Sequence, residues 1–287
     1  MMTQSYAPLP ALSDRQFVEW QQLIEARTGI DFSLHRSILQ SGLTRRMHHL
    51  HGIEYDAYFD LVQRQQPDGR AEWQSLVACI AVKETSFFRQ LAAFELVQNY
   101  LRKRVLKVGS VDLWSVGCAT GEEAFGLAMA ANNAIEGQRA QCHYGVLGSD
   151  LCAEALQQAR TGRFAAKRLE RIPAALGKRY FVADGESFVQ AVSSLRERIC
   201  FLQANLLEIE NLPALPMDVI FCQNVLVYFR RWRTKRVLDA LVERLKPGGL
   251  LVLGPGEAAQ WQHPALTRLD CAGVSAWLRP TESVAAP

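Results

Sequence analysis

A short apolar run, two glycines and a helical pattern follow one another in the middle of the chain and constrain its fold most strongly. Val111 to Val116 has the composition of a buried strand, Gly117 and Gly121 bracket a turn, and apolar helical spacing runs from Ala124 to Ala134. Glycine lets a ligand approach the backbone closely, and a helix N-terminus offers free N–H groups. The spacing matches neither the dinucleotide fingerprint nor the phosphate-binding loop. The pattern predicts an α/β unit with a ligand at the turn.

The residues that end the turn indicate the charge of that ligand. Glu122 and Glu123 stand where a phosphate-binding loop carries lysine. Acids repel phosphate but suit the hydroxyls and the ammonium group of a ligand such as S-adenosylmethionine. The alternative for this segment is an ordinary strand–turn–helix connection whose two glutamates lie in solvent.

Composition excludes several classes of protein. The chain has 287 residues, 49% of them hydrophobic, which is enough for one large or two modest globular domains. A net charge of +3 is too small to favour general nucleic-acid binding. No apolar run approaches the roughly 20 residues of a bilayer span, so we expect no membrane insertion. The seven cysteines lack disulfide or metal-site spacing, which predicts reduced thiols, no bound metal and a cytoplasmic protein.

The first part of the chain is predicted to be a small all-helical domain over residues 13–85. Apolar residues at helical spacing indicate four short helices there, separated at Gly29, at Gly52 and at the turn of residues 67–69.

The second of these helices is basic. No acid occurs between Asp31 and Glu54, whereas Arg36, Arg45 and Arg46 lie in that interval with four histidines. Arg36 and Arg46 fall near the apolar stripe of the helix, so they should point towards another part of the protein or a ligand. The pattern predicts an acidic partner. The alternative is that these arginines pair with acids of the same chain or lie in solvent.

Residues 86–287 alternate between strand and helix patterns. A second strand over residues 143–150 ends in Asp150, a position at which α/β nucleotide folds bind ribose hydroxyls. Another buried strand, from Met217 to Phe221, leads to Asn224, and a basic helix is predicted from Arg231 to Lys246. The alternation predicts a doubly wound, mainly parallel sheet. Short β-like runs over about residues 178–203, including residues 199–202, indicate an inserted β-subdomain.

Several stretches, in this order, resemble the CheR family of bacterial chemoreceptor methyltransferases. They are ETSFFR (84–89), GCATGEEAF (117–125), SDL with ALQQARTGRF (149–164), NLLE with IFCQNVLVYF (205–229), and LKPGGLL. The resemblance covers about residues 13–257. It implies a Rossmann-like class I methyltransferase domain that uses S-adenosylmethionine and releases S-adenosylhomocysteine.

The resemblance also implies a set of site residues. The cofactor pocket would be lined by Thr85, Arg89, Gly117, Glu123, Asp150, Asn205, Leu206, Gln223 and Asn224. Arg89 is the candidate catalytic residue, placing a substrate or cofactor carboxylate. Arg36, Arg45 and Arg46 would contact the receptor. The chain departs from the family's pattern at Lys83, at Gln223 and in residues 254–257, Gly-Pro-Gly-Glu, where the family has a GHSE-like stretch.

The implied activity is methyl transfer to glutamate side chains of methyl-accepting chemoreceptors, which forms methyl esters during receptor adaptation. The unperturbed pKa of glutamate is about 4.3, so the acceptor is anionic at neutral pH and needs no dedicated base. The partner would be the receptor's cytoplasmic domain, and we expect a monomer. Two alternatives stay open: an RNA or small-molecule methyltransferase on the same fold, and a cofactor-sensing interaction module without turnover, which Lys83 and Gln223 would favour.

Overall fold

The computed structural model describes residues 11–258 and 260–281, and the chain divides into two units. The first unit contains the described residues up to Val82 together with Tyr228–Arg230. The second contains residues 83–227 and the described residues from 231 onwards. No helix in these described ranges is both long enough and apolar enough to cross a membrane.

Four helices form the first unit, as the spacing predicted: α1 (Asp14–Thr28), α2 (Arg36–His49), α3 (Tyr55–Gln63) and α4 (Pro67–Ile80). A capping box between Ser13 and Gln16 begins α1. Trp20 and Tyr58 are fully buried and their rings pack 5.3 Å apart in the core of the unit. The segment 228–230 joins this unit through a bridge between Ile30 and Phe229.

The second unit alternates between helices and strands. Its helices are α5 (Leu91–Arg104), α6 (Glu122–Gln138), α7 (Ala153–Thr161), α8 (Ala174–Tyr180), α9 (Ser193–Arg196) and α10 (Arg231–Glu243). Its strands are β1 (Ser110–Val116), β2 (His143–Asp150), β3 (Arg163–Ala165), β4 (Phe181–Ala183), β5 (Phe188–Ala191), β6 (Ile199–Gln203), β7 (Met217–Cys222), β8 (Leu245–Leu253), β9 (Thr267–Leu269) and β10 (Ser275–Leu278).

Seven strands form the main sheet, in the order β6-β2-β1-β7-β8-β10-β9. The first five are parallel, and β10 and β9 are antiparallel to their neighbours. The predicted doubly wound, mainly parallel sheet is therefore confirmed. In the register, Val116 of β1 lies opposite Ser149 of β2 and Cys222 of β7. The carboxyl ends of three neighbouring strands thus meet at one edge, where open α/β sheets bind ligands.

A separate three-stranded antiparallel sheet, β3-β5-β4, corrects one detail of the sequence prediction. Residues 199–202 were predicted to lie in the inserted sheet, but β6 pairs in parallel with β2 in the main sheet. Residues 163–165 are the third strand of the small sheet instead. The physical reason is that a β pattern shows that a segment is extended, whereas its pairing partner is decided by tertiary packing.

An aromatic cluster anchors the small sheet. Phe87, from the ETSFFR motif, is fully buried, and its ring centroid lies 4.9 Å from that of Phe164 and 5.4 Å from that of Phe181. Both contacts are edge-on, the arrangement that aromatic quadrupoles favour. The linker motif therefore has a packing role beside any role in a site.

A buried ion cluster joins the amino-terminal parts of β1, β7 and β8. The fully buried Asp218 accepts from Arg104 Nε at 2.8 Å, from Lys246 Nζ at 2.7 Å and from the Asp112 N–H at 3.0 Å. The predicted basic helix accordingly ends before Lys246, at residue 243, because Lys246 lies in β8 and faces this carboxylate.

We expect Asp218→Asn to lower the free energy of unfolding by about 3 kcal/mol, because it leaves Arg104 and Lys246 without their shared buried partner. Asp112→Asn is the matched control: its side chain also binds Lys246 but is 47% exposed. That control should cost less than about 1 kcal/mol. Urea unfolding followed by tryptophan fluorescence measures both. Equal losses in the two variants would contradict the role assigned to Asp218.

Candidate functional site

The glycine turn after β1 is shaped by a close approach of two loops. Gly117 has a φ of +71°, and a Cβ built on it would lie 2.3 Å from Cγ2 of Val225. Both facts require glycine at this position. The N–H groups of Gly117 and Cys118 donate to the carbonyl of Ser149 at 2.8 and 2.9 Å. The turn is therefore held against the carboxyl ends of β2 and β7.

Asp150, at the end of β2, closes the other side of the turn. Its carboxylate accepts from the Ala119 N–H at 2.9 Å and from the Cys152 N–H at 2.8 Å. Burial raises the pKa of Asp150, and the backbone donors and the charge of Lys83 partly offset that rise. The Leu151 N–H also acts on this carboxylate, and because a carboxylate offers about four acceptor positions, Asp150 keeps capacity for a further donor. This geometry fits a ligand that presents a pair of hydroxyls.

Glu123, in the first turn of α6, is the second acid of the site. Its carboxyl accepts from Ser115 Oγ at 2.7 Å. Burial raises the pKa of Glu123 to about 8; the Ser115 hydrogen bond and the charge of Arg89 lower it, whereas the charge of Glu257 raises it. A cationic ligand group would favour the ionised form. Glu123 is thus suited to bind an ammonium group.

Glu122 has a different role from its neighbour, a separation that the sequence did not show. Its side chain is fully buried, accepts from Thr120 Oγ1 at 2.6 Å and pairs with Arg168. Arg168 also donates to the carbonyl of Thr85 at 3.3 Å. Glu122 therefore connects α6 to the linker that carries Thr85, and of these two neighbouring glutamates only Glu123 has a carboxyl that is left for a ligand.

The segment after β7 brings an amide and a strained backbone to the same edge. Gln223 is buried and donates to the carbonyl of Leu253 at 3.4 Å and to Oε1 of Gln90. Asn224 has a φ of +59°, in the left-handed region that non-glycine residues seldom occupy. Such strain persists where surrounding contacts impose it, often at functional sites.

Those contacts come from Glu257, which the sequence prediction did not include among the site residues. The buried carboxylate of Glu257 accepts from the N–H groups of Val225, Leu226 and Gly254 at 2.8, 2.8 and 2.7 Å. Burial raises its pKa, and the backbone donors act in the opposite direction. Because Val225 packs against Gly117, the Glu257 carboxylate positions the glycine turn indirectly. The sequence did contain one indication of this role, because Glu257 follows β8, another strand that ends at this edge of the sheet.

The remaining predicted pocket residues lie beside these groups. Asn205 accepts from the Leu207 N–H at 3.1 Å and begins the 3₁₀ turn that contains the buried Leu206. The carbonyl of Asp150 accepts from the neighbouring residue 204 at 2.9 Å. Arg89 is exposed and donates to the Glu84 carbonyl at 3.1 Å. The structure thus groups Asp150, Asn205 and Leu206 at the end of β2.

Arg46, in the first unit, is engaged within its own chain. Its guanidinium donates twice to Glu72, at 2.9 and 2.7 Å, and Tyr58 donates to the same carboxylate at 2.8 Å. The Arg46 side chain is only 14% exposed. These contacts match the alternative given from the sequence, in which Arg46 pairs with an acid of its own chain and does not bind a partner.

Arg36 and Arg45 differ from each other. Arg36 binds Asp14 at 2.5 Å and the carbonyl of Leu12. Arg45 is exposed and forms no ion pair with a residue that the structure describes. Of the three arginines, Arg45 is therefore the one whose charge is available to a partner.

A metal site is absent from the described residues, where no group of three or more His, Cys, Asp or Glu side chains could hold an ion.

Glu257→Gln should weaken the binding of S-adenosylhomocysteine by about 1–2 kcal/mol, because its amide leaves a buried backbone N–H without an acceptor and loosens the turn. Calorimetry gives the affinity, and thermal unfolding checks that the variant is folded. Glu95→Gln, an exposed position on α5, is the control. An affinity for Glu257→Gln equal to that of the control would remove Glu257 from the positioning of the site.

Comparison with known proteins agrees with this geometry. Residues 83–271 match the profile described as "CheR methyltransferase, SAM binding domain", and residues 15–81 match "CheR methyltransferase, all-alpha domain". The chemotaxis protein methyltransferase of Escherichia coli (strain K12) is 32% identical over 251 residues, covering 86% of this chain and 85% of that protein. Chemotaxis protein methyltransferase 2 of Pseudomonas aeruginosa is 30% identical over 261 residues, which cover 87% of this chain and 91% of that protein. The chain belongs to the CheR family and is an S-adenosylmethionine-dependent methyltransferase, as its motifs predicted.

Proposed function

We propose that this protein transfers the methyl group of S-adenosylmethionine to glutamate side chains in the cytoplasmic domain of methyl-accepting chemoreceptors, forming methyl esters in receptor adaptation. One observation carries the proposal: in a chain of the CheR family, Asp150 closes the glycine turn and keeps acceptor capacity for ligand hydroxyls. Glu123 lies beside the same turn and suits an ammonium group. Nothing in the described ranges favours an RNA or small-molecule acceptor, or a module without turnover.

The proposed cofactor pocket uses the residues at the carboxyl edge of β2, β1 and β7 and the linker before α5. They are Thr85, Arg89, Gly117, Glu123, Asp150, Asn205, Leu206, Gln223 and Asn224. Asp150 would accept from the ribose hydroxyls and Glu123 from the ammonium group. Gln223 already donates to protein oxygens and so would contribute mainly through loop position.

Electrostatics at this edge fits a positively charged ligand. S-adenosylmethionine, when bound, supplies a methyl group on an electron-poor sulfonium sulfur. The carboxyl groups of Asp150, Glu123 and Glu257 are all largely removed from water, which raises the pKa of each. A cation beside them relieves that cost. Three acids with raised pKa values therefore favour a ligand with cationic groups over a phosphate.

The chemical step needs orientation more than proton transfer. The acceptor glutamate is already ionised at neutral pH, so no base has to act on it. Orientation of two reactants can contribute up to about 7–11 kcal/mol. We propose that the exposed Arg89 orients the substrate carboxylate, because its guanidinium has only a backbone carbonyl as its hydrogen-bond partner among the described contacts.

Arg45 is the arginine of α2 that we propose contacts the receptor. We further propose a cytoplasmic monomer that does not bind nucleic acid.

Binding of S-adenosylhomocysteine at pH 7 should release a proton from Glu123. With a pKa of about 8, Glu123 holds its proton in the free protein at pH 7, and the ligand ammonium favours its loss. Affinity should therefore rise as the pH increases towards 8, by at most about tenfold per pH unit. Calorimetry in two buffers of different ionisation enthalpy measures the proton release.

Glu123→Gln isolates this effect from titration of the ligand's own amino group. The variant should release about one proton fewer than the natural protein and lose that part of the pH dependence. The stability of the free protein changes with pH in the opposite direction to its affinity for the ligand. Because the pKa of Glu123 is raised in the folded state, its contribution to stability is present at low pH and is lost as the pH rises through about 8. Equal proton release by both proteins would exclude Glu123 as the group that titrates.

The experiment that tests the function is transfer of labelled methyl groups to a purified receptor cytoplasmic fragment, with RNA and no acceptor as parallel reactions. We expect label on the receptor alone, released as methanol by mild alkali because a carboxyl ester is base-labile. Label that resists alkali would indicate nitrogen methylation, and label on RNA would favour the alternative acceptor. Either result would contradict the proposed function.

A further inference from the structure

The first turns of α10 carry a dense positive charge beside an exposed aromatic ring. Arg231, Arg233, Lys235 and Arg236 surround Trp232, and no acid lies among residues 231–236. Cations in the first turn of a helix are opposed by the helix dipole, which favours negative charge there. The charge of this segment is therefore not explained by the stability of the helix itself.

Trp232 is unusually accessible. It is 59% exposed, although tryptophan is highly buried on average. The Arg233 guanidinium lies 4.6 Å from the centroid of the indole ring and covers part of it. The ring borders an open groove of 330 Å³ that runs along α10. An exposed ring beside a groove can accept an apolar side chain of a partner.

The charges around that groove are divided between internal pairs and a free cation. Arg236 donates to both oxygens of Glu210 at 3.0 and 2.9 Å, and Lys235 binds Asp239 at 2.6 Å. Arg231 is exposed and forms no ion pair with a residue in the described part of the chain. The exposed Glu243 also lines the groove, so its wall carries three acids against two cations, whereas Arg231 and Arg233 make the start of α10 positive.

This face is close to the site along the chain. Six residues lie between Asn224, which follows the end of β7, and Arg231, so the chain takes seven Cα–Cα steps from one to the other. Even fully extended, these steps span no more than about 25 Å. A substrate segment whose acceptor residue reaches the site edge can therefore also contact the start of α10.

We propose that the α10 face formed by Arg231, Trp232 and Arg233 docks an acidic segment of the protein substrate. An apolar substrate side chain would pack on Trp232, and neighbouring carboxylates would pair with Arg231. The inference rests on the proposed function: a substrate whose acceptors are glutamates is locally anionic, which complements this charge. Tryptophan and arginine are also the residues most often dominant in binding energy at interfaces.

The test uses the full-length protein and a purified receptor cytoplasmic fragment. Arg231→Glu and Trp232→Ala should each raise the KM for the fragment about tenfold, with kcat little changed. Arg231→Glu should also make the salt dependence of KM shallower, because screening then has one fewer attractive pair to weaken. Arg231→Lys and Trp232→Phe should each retain most of the affinity.

The control is Lys107→Glu, which makes the same charge change at an exposed position after α5, before β1. Its KM should equal that of the natural protein. Calorimetry of S-adenosylhomocysteine binding and thermal unfolding should be unchanged in every variant, because neither Arg231 nor Trp232 has a hydrogen bond or ion pair with a proposed pocket residue among the described contacts. These two measurements separate a docking defect from a folding or cofactor defect.

The outcomes distinguish the two proposals. If the natural protein methylates the fragment and Arg231→Glu and Trp232→Ala keep its KM, the docking surface is overturned and the proposed function stands. If Lys107→Glu raises KM as much as Arg231→Glu, the effect is one of net charge, and the docking surface is overturned as well. If the natural protein transfers no methyl group to the fragment, the proposed function fails and the docking inference fails with it.

Discussion

The register between β2, β1 and β7 is the constraint on which the functional part of this protein depends. Parallel pairing places Val116, Ser149 and Cys222 side by side near the carboxyl ends of their strands, so the loops that follow meet at one edge of the sheet. Two backbone N–H groups of the glycine turn then reach one carbonyl of β2. A register shift of one residue would turn each side chain to the other face and separate these loops.

Carboxylates maintain this arrangement as well as serving a ligand. Asp150 and Glu257 each accept from backbone N–H groups of loops that border the site. Buried N–H groups need an acceptor, and in these irregular loops the carboxylates take the place of backbone carbonyls. Burying them raises their pKa values, and the same burial prepares the edge for a cationic ligand. Stability and affinity are therefore coupled through the same groups.

Ion pairs have different consequences in different parts of the chain. Asp218 joins three strands and α5 far from the carboxyl edge, and Glu72 joins Arg46 to Tyr58 in the first unit. Both acids are buried and cannot be lost without leaving cations unpaired. The exposed Arg45 and Arg231 form no ion pair with a described residue, and this difference is the reason that we propose recognition roles for them.

The sequence by itself determined the family and its cofactor through the resemblance of its motifs. It also determined the α/β class and the edge at which Asp150 and Asn224 lie, because strand ends and glycine turns follow from local patterns. Tertiary structure alone decided the rest. It separated Glu122 from Glu123, moved β6 into the main sheet and paired Arg46 with Glu72. Each of these depends on which distant residue lies nearby, and periodicity reports only which side of an element is buried. Glu257 shows the same limit: its three backbone partners lie beside it only when β7 and β8 pair.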